Sequence, residues 1–101
     1  MLNSISLVGK MVKNVYHVEN MAFIDIEVKR PFTEEMGKEK FDVFSIALWK
    51  GLEDMMSDVT QIGMIIAVRG RLIANKFTMA NYDFKEVIIY GELIEILNKY
   101  F

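Results

Sequence analysis

The chain has 101 residues, of which 52% are hydrophobic and 26% charged, with one proline and no cysteine. That is one core's worth of chain, read as a single domain over 1–101, and it is too apolar for a disordered protein. The missing cysteine excludes disulfide scaffolds, thiolate zinc sites and cysteine nucleophiles, and the formal net charge of −2 gives no overall basic signature. Met1-Leu2-Asn3-Ser4-Ile5 lacks the basic-then-apolar order of a secretion signal, and no apolar run approaches membrane-spanning length, so a cytoplasmic location is expected.

The apolar pattern mostly has period two, which means strands. Ile5, Leu7 and Met11 place a first strand at about Ser4 to Lys13, with Gly9 suggesting a bend or bulge. Ile24, Ile26 and Val28 alternate with Asp25, Glu27 and Lys29 in a half-buried second strand. Pro31 to Lys40 is polar and punctuated by proline and glycine, hence a loop or hairpin tip. A third strand, about Phe41 to Trp49, divides into a core face of Phe44, Ile46 and Leu48 and an outer face of Val43, Ser45, Ala47 and Trp49.

The period then changes. Leu52, Met55, Met56, Val59 and Ile62 form the apolar stripe of a short helix, with Glu53 and Asp54 in its first turn and Gly63 placed as a left-handed cap. Met64 to Leu72 reads as the fourth strand. Asn75 to Asp83 reads as a loop rich in aromatics. Val87-Ile88-Ile89 opens a fifth strand ending near Leu97, its phase broken at Gly91. Three strands, one helix and two strands match an all-β, five-stranded antiparallel barrel with one short helix between strands 3 and 4, the layout of the oligonucleotide-binding (OB) fold.

Five segments carry a resemblance. Leu2 to Lys10, Val28-Lys29-Arg30-Pro31-Phe32, Ser45 to Glu53, Val68-Arg69-Gly70-Arg71-Leu72 and Lys85-Glu86-Val87 stand in order along the chain. Together they resemble the bacterial single-stranded DNA-binding proteins, over about residues 2 to 97. The resemblance implies a non-catalytic, sequence-nonspecific binder of single strands, nucleoid-associated, acting in replication, recombination or repair as a homo-oligomer, a tetramer in preference to a dimer. Alternative readings are a primosome-like accessory protein with a helicase partner and an OB module used only for protein–protein contact.

In that family bases stack on aromatic side chains and basic ones track the phosphates. The matching aromatic positions here are Trp49, Phe32 and Phe77. A further stacking position of the family falls on Val43, with Phe41 and Tyr82 as candidates to replace it. A stacked base contributes roughly 1–3 kcal/mol whatever its identity. Lys10, Lys13, Lys29, Arg30, Arg71 and Lys76 are the candidate phosphate contacts, with Lys50, Arg69 and Lys85 as further basic residues. Asp25 and Glu27 alternate with core positions and so face the same side as the expected DNA, where they would pair with cations or weaken binding.

The family's acidic, aromatic-tipped tail has no counterpart in Asn98-Lys99-Tyr100-Phe101, so replication or repair partners are not expected through that route. The apolar first strand is the expected oligomer edge, and the outer face of the fourth and fifth strands a second interface. No cofactor or metal is expected. His17 is the only histidine, Glu34 and Glu35 sit at a loop tip, and there is no Gly-rich phosphate loop, which argues against an enzyme.

Overall fold

The computed structural model describes residues 2–31 and 37–98, with the backbone alone at Phe77, Met79, Phe84 and Asn98. Its elements are β1 (Ile5–Val18), β2 (Met21–Lys29), β3 (Phe41–Leu48), α1 (Lys50–Val59), β4 (Ile65–Met79) and β5 (Tyr82–Asn98). The strands close into a barrel in the order β1-β2-β3-β5-β4.

The expectation of a wholly antiparallel barrel is corrected: β3 and β5 run parallel, with Ile46 opposite Ile89 and Leu48 opposite Gly91. Strand direction cannot alternate all the way around a ring with an odd number of members. Here the mismatch falls on the pair that α1 and β4 separate in the chain. Every other neighbouring pair is antiparallel.

β1 extends beyond its expected end at Lys13 and serves two neighbours. Its residues Ile5–Lys10 pair with β4, and Lys10–Val18 pair with β2, with register shifts between Met11 and Lys13 and between Lys13 and Tyr16. Such irregularities bend a strand and raise its twist, which lets one strand wrap around the barrel. The bulges therefore follow Gly9 rather than sit at it. At Gly9 the need is close approach: a Cβ there would lie 2.6 Å from the Glu27 carbonyl oxygen.

Of the positions read as apolar faces in the sequence, Met11, Ile24, Ile26 and Ile46 in strands and Met56 in the helix are fully buried, and Ile66 of β4 joins them. Phe44 is only partly buried and packs against them. Ala47, expected on the outer face, is fully buried, because its register neighbours on either side are the large residues Phe23 and Tyr90. The phase break at Gly91 is present: Gly70 opposes Gly91 while Arg69 opposes Leu93, so Glu92 is the extra residue of a bulge on β5.

α1 buries Leu52 and Met56 at i and i+4, while Met55 and Val59 remain exposed. It ends at Thr60, whose N–H and hydroxyl both donate to the Met56 carbonyl. Ile62 and Gly63 thus lie past the helix. Ile62 is exposed, and Gly63 takes its left-handed φ of 101° in the turn into β4, where its N–H donates to the Met11 carbonyl at 2.8 Å.

The segment read as a loop at Asn75–Asp83 is the end of a long hairpin. β4 and β5 stay paired out to Met79 opposite Tyr82, joined by Ala80 and Asn81 at φ 53° and 66°. Two left-handed residues make the turn that matches strand twist. The described side chains from Ala74 to Val87 are exposed, so no buried face imposes the apolar alternation that marks a strand in sequence. Thr78 donates to Asp83 across the arms at 2.9 Å.

Candidate nucleic-acid interface

The outer surface of β2 and β3 presents Phe23, Asp25, Glu27 and Lys29 opposite Ala47, Ser45, Val43 and Phe41. At one end of this surface Lys10, Lys29, Glu27 and Phe41 line a groove of about 280 Å³ with Val8. Two of the expected cations thus meet an exposed aromatic ring, and Phe41 stands two residues from Val43 on the same face. Glu27 sits between the lysines in this groove. Lys29 also donates to Glu39 at 2.8 Å, an exposed ion pair of small worth.

Asp25 does not pair with Lys29 or Arg71, as the sequence suggested it could. Its Oδ1 accepts hydrogen bonds from the Tyr16 hydroxyl at 2.6 Å and the Ser45 hydroxyl at 2.7 Å. Burial first, and hydrogen bonding to Asp25 second, push the Tyr16 phenol above its usual range and keep it a neutral donor. The Tyr16 ring stacks on Phe23 with centroids 5.8 Å apart, and the Lys13 ammonium lies 4.0 Å from the Tyr16 ring centre.

This pair begins a row that crosses the sheet. Tyr16 opposes Phe23, Phe23 opposes Ala47, Ala47 opposes Tyr90 and Tyr90 opposes Arg71. The Arg71 guanidinium lies 5.5 Å from the centre of the Tyr90 ring. Three aromatic rings are therefore aligned across the barrel, with Lys13 and Arg71 on the two outermost. Sequence reading missed Tyr16 and Phe23 because it ended the first strand at Lys13 and began the second at Ile24. The signal was available: Phe23 continues the alternation of Asp25 and Glu27 with the buried Ala22, Ile24 and Ile26.

Trp49 follows β3 as the N-cap of α1, with no side-chain cap bond, and is 46% exposed. Its ring does not continue the outer face of the strand: it lies over Gly51, where a Cβ would collide with Cζ3 and Cη2 and come within 2.8 Å of Cε3. Beside it, Glu53 ties α1 to β1. The Glu53 carboxylate contacts His17 Nε2 at 2.6 Å and accepts from Lys50 at 3.0 Å. Lys50 first and His17 second hold it below the usual carboxylate range.

The remaining expected residues are dispersed. Arg30 donates twice to Asp42, at 2.7 and 2.9 Å, and this bidentate pairing holds the Asp42 carboxyl below its usual value. Lys50 is committed to Glu53 and Asp54. Lys76 is exposed on the projecting hairpin opposite Lys85, and next to it the backbone of Phe77 opposes Phe84. Phe32, Glu34 and Glu35, and Lys99 to Phe101, lie outside the described residues. Of the basic residues singled out in the sequence, Lys10, Lys13, Arg69, Arg71, Lys76 and Lys85 have no ion-pair partner among the described residues.

A closed five-strand barrel with a helix between β3 and β4 is the OB fold. Its fold is that of the single-stranded DNA-binding proteins. A Plasmodium falciparum single-stranded DNA-binding protein, solved in complex with single-stranded DNA, superposes with a TM-score of 0.74 at 17% identity, over 97% of this chain and 96% of that one. The Saccharomyces cerevisiae mitochondrial single-stranded DNA-binding protein gives 0.74 at 11% identity, over 96% of each chain. The Thermus aquaticus single-stranded DNA-binding protein, as a deletion mutant, gives 0.69 at 25% identity; 97% of this chain spans 51% of that one. No family model and no curated relative matches the sequence.

Proposed function

We propose that this chain binds single-stranded DNA without sequence specificity and without catalysis, in replication, recombination or repair, from a cytoplasmic, nucleoid-associated location. The observation that carries this reading is the likeness, over nearly its whole length, to a protein solved with single-stranded DNA, TM-score 0.74. The aromatic and cationic outer face supplies matching chemistry: bases stack on rings and phosphates meet lysines. Trp49, Phe41, Phe32 and Phe77 are the proposed stacking residues. Lys10, Lys13, Lys29, Arg71 and Lys76 are the proposed phosphate contacts, with Arg30 contributing once it leaves Asp42. A mobility-shift assay with a labelled single strand and its duplex tests the reading. It expects retention of the single strand at micromolar protein and weaker retention of the duplex; no shift of the single strand overturns it.

The working form is a homo-oligomer, a tetramer in preference to a dimer. β1 is not a bare edge, since Ile5–Lys10 is paired with β4. Its other side is paired with β2 only from Lys10 onward, so Ile5–Gly9 keeps one open side for a second copy. On the outer face of β1, β4 and β5, Val8, Leu93 and Leu97 are about half exposed, next to a groove lined by Ala67, Arg69 and Glu95. Two such surfaces suit a dimer of dimers. Light scattering is expected to give about four times the 11.7 kDa chain mass; a monomer contradicts both interfaces.

A further inference from the structure

α1 and the β4–β5 hairpin each place charge against a local rule. Asp58 stands in the last turn of α1, where no basic residue accompanies it and the helix dipole disfavours a carboxylate. On the hairpin, Lys76 lies directly opposite Lys85, and like charges so placed repel. All three are exposed, and none has an ion-pair partner among the described residues.

Both charges sit among apolar side chains. Met55, Asp58 and Val59 are spaced i, i+3 and i+4 and so share one face of α1, on which Met55 and Val59 are exposed. Opposed residues of a strand pair share a face, and the faces alternate along the strands. Arg71 and Tyr90 belong to the outer face that carries the aromatic row. Leu72 with Ile89, Ala74 with Val87 and Lys76 with Lys85 therefore lie on the other face. Ile89 is buried in the barrel, whereas Leu72, Ala74 and Val87 are exposed. Asp83, next along this face, is taken by the Thr78 hydroxyl.

One surface is apolar and acidic, the other apolar and basic, and a single chain carries both. We propose that the hairpin of one copy docks on α1 of a second copy, with Ala74 and Val87 against Met55 and Val59 and the Lys76–Lys85 pair against Asp58. The two surfaces differ, so the contact is head to tail and joins tetramers instead of completing one. Each unpaired charge gains there the counterion that its own chain does not supply. Lys76 is also a proposed phosphate contact, so a bound strand competes with α1 for it. That consequence alone rests on the single-strand-binding reading; the contact does not.

Light scattering on the full chain at low salt, over a series of protein concentrations, tests the contact. Dilute protein should show the tetramer mass. Concentrating it should raise the mass to about twice that or more, since each contact joins two tetramers. Added salt should reverse the rise. Asp58→Asn and Lys85→Gln should each weaken it. Asp58→Lys alone, and Lys76→Glu combined with Lys85→Glu, should each abolish it. An equimolar mixture of these two charge-reversal variants should restore it, because every helix then meets a hairpin of opposite charge. A short oligo-dT should lower the mass of the wild type. A mass that does not change with concentration overturns the contact and leaves strand binding standing. So does a rise that Asp58→Asn leaves intact, or a mixture that stays at the tetramer mass although both variants keep the wild-type circular dichroism. Bound oligo-dT that leaves the mass unchanged overturns the competition for Lys76. A rise that follows the charge pattern in a protein that binds no oligo-dT supports the contact and overturns the strand reading.

Discussion

Replacing Gly51 with alanine should move the Trp49 indole without unfolding the barrel. A Cβ at Gly51 has no room: it would fall on Cζ3 and Cη2 of the ring and within 2.8 Å of Cε3. The obstacle is one side chain that is 46% exposed, so the ring can swing into solvent rather than force the backbone to shift. Gly51 lies in the first turn of α1, where alanine is favoured over glycine by up to about 1 kcal/mol. Lost indole packing opposes that gain, so the unfolding free energy should stay within about 1 kcal/mol of wild type. Binding should change more. If the seated ring is a stacking platform, its loss removes roughly 1–3 kcal/mol, about 5- to 150-fold in affinity. Tryptophan emission reports both events, since Trp49 is the only tryptophan. Gly51→Ala should red-shift the free protein's emission and weaken binding to an oligonucleotide. Unchanged emission with unchanged affinity would refute the seating of Trp49 on α1.

Further outcomes follow from the ion pairs. Asp42→Asn releases Arg30 from its bidentate partner and should strengthen single-strand binding several-fold at low salt; slope of log K against log salt should steepen by about 0.7, one phosphate contact. Weaker binding would mean that Arg30 does not face the strand. In the wild type, Lys10, Lys13, Arg71 and Lys76 are the cations without a carboxylate partner among the expected contacts, so the slope should be shallow, about −3 per chain. Glu53 has a folded-state pKa below its unfolded value; its contribution is therefore fully present above the ordinary carboxylate range and is lost as pH falls through the lowered value. Thermal melts of wild type and Glu53→Gln should differ near neutral pH and converge in acid; a gap that persists in acid would show that the difference is not electrostatic. Ile46→Ala, at a fully buried core position, should cost about 2–5 kcal/mol by denaturant unfolding; a loss under 1 kcal/mol would contradict its placement.

The barrel was legible where one face of a strand is buried, because burial imposes alternation. Ile24, Ile26 and Ile46 could be read as core directly, whereas Ile66 sits in the unbroken apolar run Met64 to Val68, where no alternation marks a face. Legibility failed where that constraint lapses. The described side chains of the β4–β5 hairpin from Ala74 to Val87 are exposed on both faces, and its Ala80-Asn81 turn lacks the Asn-Gly pair that advertises such a hairpin. The length of β1 was hidden by its bulges, which break the period between Met11 and Tyr16. The parallel β3–β5 pair is a closure property of the ring, not a pattern within either strand. For the site, residue type and spacing located Trp49, Lys10 and Lys29 on exposed positions. The row Tyr16–Phe23–Ala47–Tyr90–Arg71 needed the register of all five strands. The Arg30–Asp42 pair joins residues twelve apart that only the β2–β3 pairing brings together.

The most direct test of single-strand binding is a titration of intrinsic tryptophan fluorescence with oligo-dT at several salt concentrations. Trp49 is half exposed beside the end of β3 and a stacked base is a close quencher. Saturable quenching at micromolar protein, weakening with salt along a shallow slope, is the expected result. Emission that stays constant to saturating oligonucleotide, with no retarded band for the same mixture, would contradict single-strand binding by this barrel.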